Sequence, residues 1–191
     1  MLSMQFTKLV YYIINYPLSI LNKITRQEKI PKYFLKLDGY YYCEKKKRTI
    51  AVIRVRNKRT VEQIPIKQIA FDENYLRSLH PLDACIIGIL SNNERNGIID
   101  KDASGWKKMQ RLKSCYCFTR TNPILKISGK YTDSMGVEIT TLHSEILNKE
   151  IQISTIELAK NQALLYSLNS FDAISVGYNI SEQYIKNQIG S

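Results

Sequence analysis

The sequence predicts an α+β protein: a tandem duplication of a β-rich unit ending in a helix, arranged about a pseudo-twofold axis as a single compact body. Two echoes and a shared order of elements lead there. SLHPLDACIIGIL at residues 78–90 returns as SLNSFDAISVGYN at 167–179, and LKLDGYY at 35–41 returns as LKISGKY at 125–131. Self-similarity at a steady spacing is the mark of a repeated structural unit. Between the echoes each half runs through strand-like alternation first and helical spacing afterwards.

The first 30 residues are expected to form a helical segment. Leu9, Ile13, Ile20 and Ile24 have partly helical spacing, broken before Pro17. The uncharged run 9–22 is shorter than the roughly 20 residues that cross a bilayer, so no spanning helix is expected. Only Lys8 precedes it and no small-residue cleavage site follows, which argues against a signal peptide. The chain is therefore expected to be cytoplasmic. Core packing is the expected role of the segment, with peripheral membrane contact through Lys23, Arg26 and Lys29 as the alternative.

Residues 31–97 read as a basic β-β-β-α unit. FLKLDG and TIAVIRVR form its first two strands, and VEQIPIKQI continues the alternation as a third. Asp72 is placed to cap ENYLRSL, and Pro81 suits the first position of the final helix because its missing N–H is unpaired there anyway. After a turn at Asn96-Gly97, a basic connecting segment follows at 98–124, with a turn at Ser104-Gly105 and strand-like alternation in LKSCYCFTR. Residues 125–191 repeat the plan as a neutral β-β-β-α unit. ILKISG, VEITTL and KEIQISTI are its strands, and Ile151, Ile153 and Ile156 match Ile64, Ile66 and Ile69. Its final helix starts at Ser170 behind the cap Asn169, which occupies the place of His80.

Within the echoed helices, Asp83 and Asp172 fall three residues after the cap, where a carboxylate can bond back to the capping N–H and meet the helix dipole favourably. Ala84 with Gly88, and Ala173 with Gly177, put small residues one turn apart on one face. Such a face lets another element approach closely, so the two helices are expected to pack on a sheet or on each other.

Charge supplies the functional signal. The chain carries 28 Lys+Arg against 17 Asp+Glu, a net +11. Residues 1–124 hold 23 of these cations and 10 of the acids, +13, which leaves 5 and 7, or −2, for residues 125–191. One basic end attracts an anionic partner, whereas solubility alone requires no such segregation. The cations gather with aromatics: Tyr40, Tyr42, Lys45, Lys46, Lys47, Arg48, Arg54, Arg56, Lys58 and Arg59 in one stretch, Trp106, Lys107, Lys108, Arg111 and Lys113 in another. Arg and Lys so spaced neutralise successive phosphates while the aromatics stack on unpaired bases. The expected function is non-enzymatic binding of nucleic acid, DNA or RNA. The alternative is an interaction or assembly module, secretion-associated or host-facing, whose basic face meets an acidic protein or an anionic membrane.

No cofactor and no metal is expected. The chain has no Gly-rich phosphate loop, no G-x-S-x-G and no H-E-x-x-H. Cys43, Cys85, Cys115 and Cys117 read as reduced thiols, and Cys115 and Cys117 with His80 and His143 lack the paired spacing of structural zinc sites. Two related halves whose helices meet through small residues resemble the LAGLIDADG homing endonucleases. That family closes its helices with metal-binding acids, whereas GILSNNE offers Ser91 and Asn93, with Glu94 and Glu182 out of register. The resemblance stops at the helices, and the chain is not assigned to the family.

Overall fold

The computed structural model describes residues 35–56, 60–112 and 124–189. The N-terminal segment, Lys58, Arg59, Lys113, Cys115 and Cys117 lie outside the described residues. What is described is a compact α+β unit with two antiparallel sheets. The first has the order β3-β2-β1-β4, from β1 (Leu35–Cys43), β2 (Arg48–Val55), β3 (Val61–Pro65) and the short β4 (Gln110–Arg111). Helices α1 (Ile66–Phe71), α2 (Glu73–Ser78) and α3 (Pro81–Arg95) follow β3, and two 3₁₀ turns, Lys101–Ala103 and Trp106–Lys108, precede β4. The second sheet, β5-β6-β7, comprises β5 (Leu125–Thr132), β6 (Glu138–Ser144) and β7 (Lys149–Ser154). It is followed by α4 (Thr155–Lys160), α5 (Gln162–Tyr166) and α6 (Ser170–Ile189).

Both hairpins have the same register. Leu37 faces Ile53 and Gly39 faces Val52, with a bulge between; Ile127 faces Leu142 and Gly129 faces Thr141, with a bulge at the same place. Alternation therefore puts Leu35, Leu37, Ala51, Ile53 and Ile64 on the inner face of the first sheet, where all are buried. The outward alternates Ile50 and Val52 are buried as well. Tyr41 on β1 donates its Oη to Gln63 Oε1 on β3 at 2.9 Å, so its ring must lie across the intervening β2 and cover those two side chains. Tyr131 Oη reaches Gln152 Oε1 at 3.1 Å across β6 in the same way.

The third strand differs from expectation. Its alternation ends at Pro65, and the chain turns into α1, so Ile66 and Ile69 are buried at helical rather than strand spacing. Ala51 pairs with Ile64 and Thr140 with Ile153, which sets Ile64 beside Ile153 in the comparison. Buried Thr155 and Leu158 then take the places of Ile66 and Ile69, while Ile156 is exposed. With the two bulges superposed, Ile64, Ile66 and Ile69 therefore fall at the positions of Ile153, Thr155 and Leu158, not at those of Ile151, Ile153 and Ile156.

The caps fall where the sequence put them. Asp72 accepts from the N–H groups of Asn74 and Tyr75 at the start of α2, and Asn169 Oδ1 accepts from Asp172 N at 2.8 Å. Asp172 also accepts from the side-chain amide of its cap Asn169 at 3.0 Å, and both Asp83 and Asp172 reach beyond their own helices. Asp83 Oδ2 accepts from Leu37 N at 2.8 Å and Asp172 Oδ2 from Ile127 N at 3.0 Å, the strand residue just before each bulge. Each carboxylate thus fastens the opening of the long helix to the first strand of its own sheet. A carboxylate acceptor gives a charge-assisted bond to a backbone N–H beside the bulge.

The two long helices, α3 and α6, pack directly on each other. A Cβ at Gly88 would stand 2.3 Å from Ile174 O, and one at Gly177 2.0 Å from Cys85 O. Neither obstacle is a side chain that can swing aside; each is the partner helix's backbone. Ala84 and Ala173, one turn earlier, are fully buried in the same seam. We therefore expect Gly88→Ala and Gly177→Ala each to cost about 2–3 kcal/mol or more, read as a lower urea midpoint, since a helix favours Ala by about 1 kcal/mol when nothing is in the way. A neutral or stabilising result at both positions would contradict the backbone contact.

Candidate nucleic-acid interface

The two basic stretches, far apart in the sequence, meet at one corner of the first sheet. The β1–β2 turn carries Lys45, Lys46, Lys47 and Arg48, all exposed. β4 pairs with β1, setting Arg111 opposite Gly39 and Gln110 opposite Tyr40. Gly105 N donates to Tyr42 O at 2.8 Å, and Ser104 Oγ bonds to the Glu44 carboxylate, so the 3₁₀ turn bearing Trp106, Lys107 and Lys108 is tied to the end of the hairpin. Trp106 and Tyr41 stand edge to face, centroids 5.6 Å apart and planes at 90°. Lys107, Lys108 and Arg111 are exposed.

The tyrosines divide by strand parity. Tyr40 and Tyr42 share the face opposite Tyr41. Tyr40 is half-buried and donates to Asp100 Oδ2 at 2.9 Å, and burial with that carboxylate pushes its phenol up to about 12. The outward aromatic beside Trp106 is Tyr41, and three consecutive tyrosines give no sign in the sequence of which parity faces out. Among the cations, Arg54 is ion-paired with Asp38 at 2.6 Å, and that partner, by hydrogen bond and charge, raises its pKa further. Arg56 is exposed just past β2.

Other titratable groups are absorbed into the fold. Glu94, at the end of α3, accepts from Thr49 N at 2.5 Å and lies 3.5 Å from Lys67 Nζ. Lys130 on β5 stays exposed while donating to Ser175 Oγ at 2.7 Å, and partial burial lowers its pKa despite Glu138, Asp172 and Glu182 nearby. Where the last turns of α3 run beside the middle of α6, amides and hydroxyls meet: Ser91 with Tyr178 at 2.8 Å, Asn92 Nδ2 donating to Ser181 Oγ at 3.0 Å, and Ser181 Oγ donating to Asn93 Oδ1 at 2.6 Å. Among the described residues no three His, Cys, Asp or Glu side chains gather as metal ligands would. Cys43 and Cys85 are free thiols, and burial pushes Cys85 up to about 12, which keeps it protonated. No helix among the described residues is long and apolar enough to cross a membrane.

His80 caps α3, its Nδ1 accepting from Leu82 N at 3.2 Å, and its buried ring lies 4.6 Å from that of Tyr166. An accepting Nδ1 places the neutral ring's proton on Nε2, and a second proton would abolish the cap. Burial pushes its pKa down to about 4. An unfolded histidine titrates near 6.5, so this contribution to stability is complete above about pH 6.5 and is lost as pH falls towards 4, on the order of 3 kcal/mol in all. His80→Asn, with a cap like Asn169, should flatten the fall in urea midpoint between pH 7 and 4. An unchanged pH profile would remove His80 as the cause. Compared with known proteins, the chain matches no family model, no curated protein and no solved structure.

Proposed function

We propose that the chain is a non-enzymatic nucleic-acid-binding protein built on a duplicated scaffold, one half of which carries the contact surface. The observation that carries the reading is the convergence of Lys45, Lys46, Lys47, Arg48, Lys107, Lys108 and Arg111 around the Tyr41–Trp106 pair. Support for duplication comes from the paired register, the bulges, the Tyr–Gln bridges and the two aspartate fasteners. On that alignment the β5–β6 turn, Asp133-Ser134-Met135-Gly136, stands where the first unit has its lysines.

One residue in that turn favours function over chance. Gly136 has φ 80°, a conformation glycine takes at little cost, and its counterpart Lys47 has φ 48°. A side chain there costs roughly 1 kcal/mol or more. A lysine kept at that cost adds a cation to the basic corner.

Binding that neutralises about five phosphates gives a slope near −4.5 for log K against log salt. Reversing Lys45, Lys46 and Lys108 to Glu together should reduce the slope by about 3 and remove most of the affinity for both duplex and single strands. Reversal without effect on either would leave the proposal without support, and flotation of the unaltered protein with anionic liposomes but not binding to nucleic acid would favour the membrane-facing alternative. Lys47→Gly should weaken binding without lowering the thermal midpoint. A clear loss of stability would show that Lys47 is held for structural reasons.

A further inference from the structure

We propose that Trp106 is a stacking platform for an unpaired base, so that the preferred partner is single-stranded or locally unpaired nucleic acid rather than intact duplex. The inference rests on the basic-corner reading above and adds the form of nucleic acid to it. Trp106 is the only tryptophan in the chain, and it is 50% exposed. An indole left this open forgoes the burial that normally stabilises a side chain of its size.

Its orientation is nonetheless held. Gly105, with φ 78°, sets the 3₁₀ turn, and its N–H is fixed to Tyr42 O. Tyr41 meets the indole at right angles and is itself anchored to Gln63 across β2. Perpendicular rings do not cover each other face to face, so the pair leaves π surface available while restricting its tilt. Preorganising an aromatic in this way lowers the ordering cost that a base would otherwise meet on stacking.

The charges fit the same occupant. Lys107 and Lys108 follow the indole directly, and Arg48 shares the outer face of the hairpin with Tyr41, beside Ile50 in the register. A backbone running past these cations would carry its bases over Trp106 and Tyr41. Within a duplex the faces of each base are covered by its neighbours, so only an unpaired base can offer its face to the indole. Stacking of this kind is indifferent to base identity, as is the phosphate attraction.

The chain's single tryptophan makes the test specific to the site. Its emission is titrated with an oligo(dT) of about 12 nucleotides, within the span of single-strand sites, with an abasic strand of equal length, and with a duplex of equal length. Binding is followed separately by anisotropy of labelled nucleic acid. The expected result is strong quenching by oligo(dT), weak quenching by the abasic strand, and duplex binding with little quenching. Trp106→Ala, whose fold is checked by its melting curve, should lose roughly 5- to 100-fold in affinity for oligo(dT) and less than about twofold for duplex. Equal quenching by all three, or equal loss on both forms, would overturn the stacking proposal while leaving phosphate binding intact. Failure of all three to bind at low salt would overturn the parent reading as well.

Discussion

The rest of the structure depends on the approach of two backbones. With the Gly88 and Gly177 positions within van der Waals reach of the opposite helix's carbonyls, α3 and α6 have no side-chain layer between them at that point. The closeness fixes more than the helices. Each long helix is fastened at its opening to the first strand of its own sheet, through Asp83 to Leu37 and Asp172 to Ile127. Ser170 at the start of α6 also donates to Leu79 O, in the segment leading to α3, at 2.6 Å. Displacing one helix by the width of a methyl group would therefore carry a sheet with it, and with the first sheet the basic corner.

Much of this was legible because it rests on local chemistry. The starts of α3 and α6 follow from Pro81 and Asn169, and the cap of α2 from Asp72, since each residue acts within three positions of itself. The small-residue faces were legible for the same reason: Ala84 with Gly88 and Ala173 with Gly177 share a face by helical period alone. What was missed is long-range or depends on parity. Asp83 lies 46 residues from the N–H that it accepts, and no spacing rule reaches that far. The end of β3 at Pro65 was obscured because Ile64 and Ile66 suit a strand while Ile66 and Ile69 suit a helix. Tyr41 could not be told from Tyr40 and Tyr42 until the register assigned it to the outer face.

The same distinction governs the candidate surface. Basic side chains announce themselves in composition, but their availability is decided by partners that the sequence leaves unordered. Arg54 is paired with Asp38, which strand alternation puts on the same face of the sheet. Lys130, although exposed, is bonded to Ser175 on the long helix of its own half. Lys107, Lys108 and Arg111, which looked like a separate group, join the hairpin lysines because β4 adds to the edge of β1. Seven cations around two aromatics form a surface; the same cations in their sequence positions are two runs some sixty residues apart.

The contacts between the last turns of α3 and the middle of α6 show how polar groups can serve register rather than chemistry. Ser91, Asn92 and Ser181 are each at most 3% exposed, so their polar atoms would be costly to leave without partners. They are satisfied by residues of the opposite helix or of the adjoining turn, Asn92 by Ser181 and Asn96, Ser91 by Tyr178. An apolar seam would tolerate sliding by a turn, because one leucine contact resembles the next. A hydrogen bond between Asn92 and Ser181 does not survive such a slide, since it would strand both groups in the interior. The glycines set how near the helices come, and the amides and hydroxyls set where along their length they stop. Together they hold the first sheet, and the hairpin whose Tyr41 meets Trp106, in one position relative to the second half.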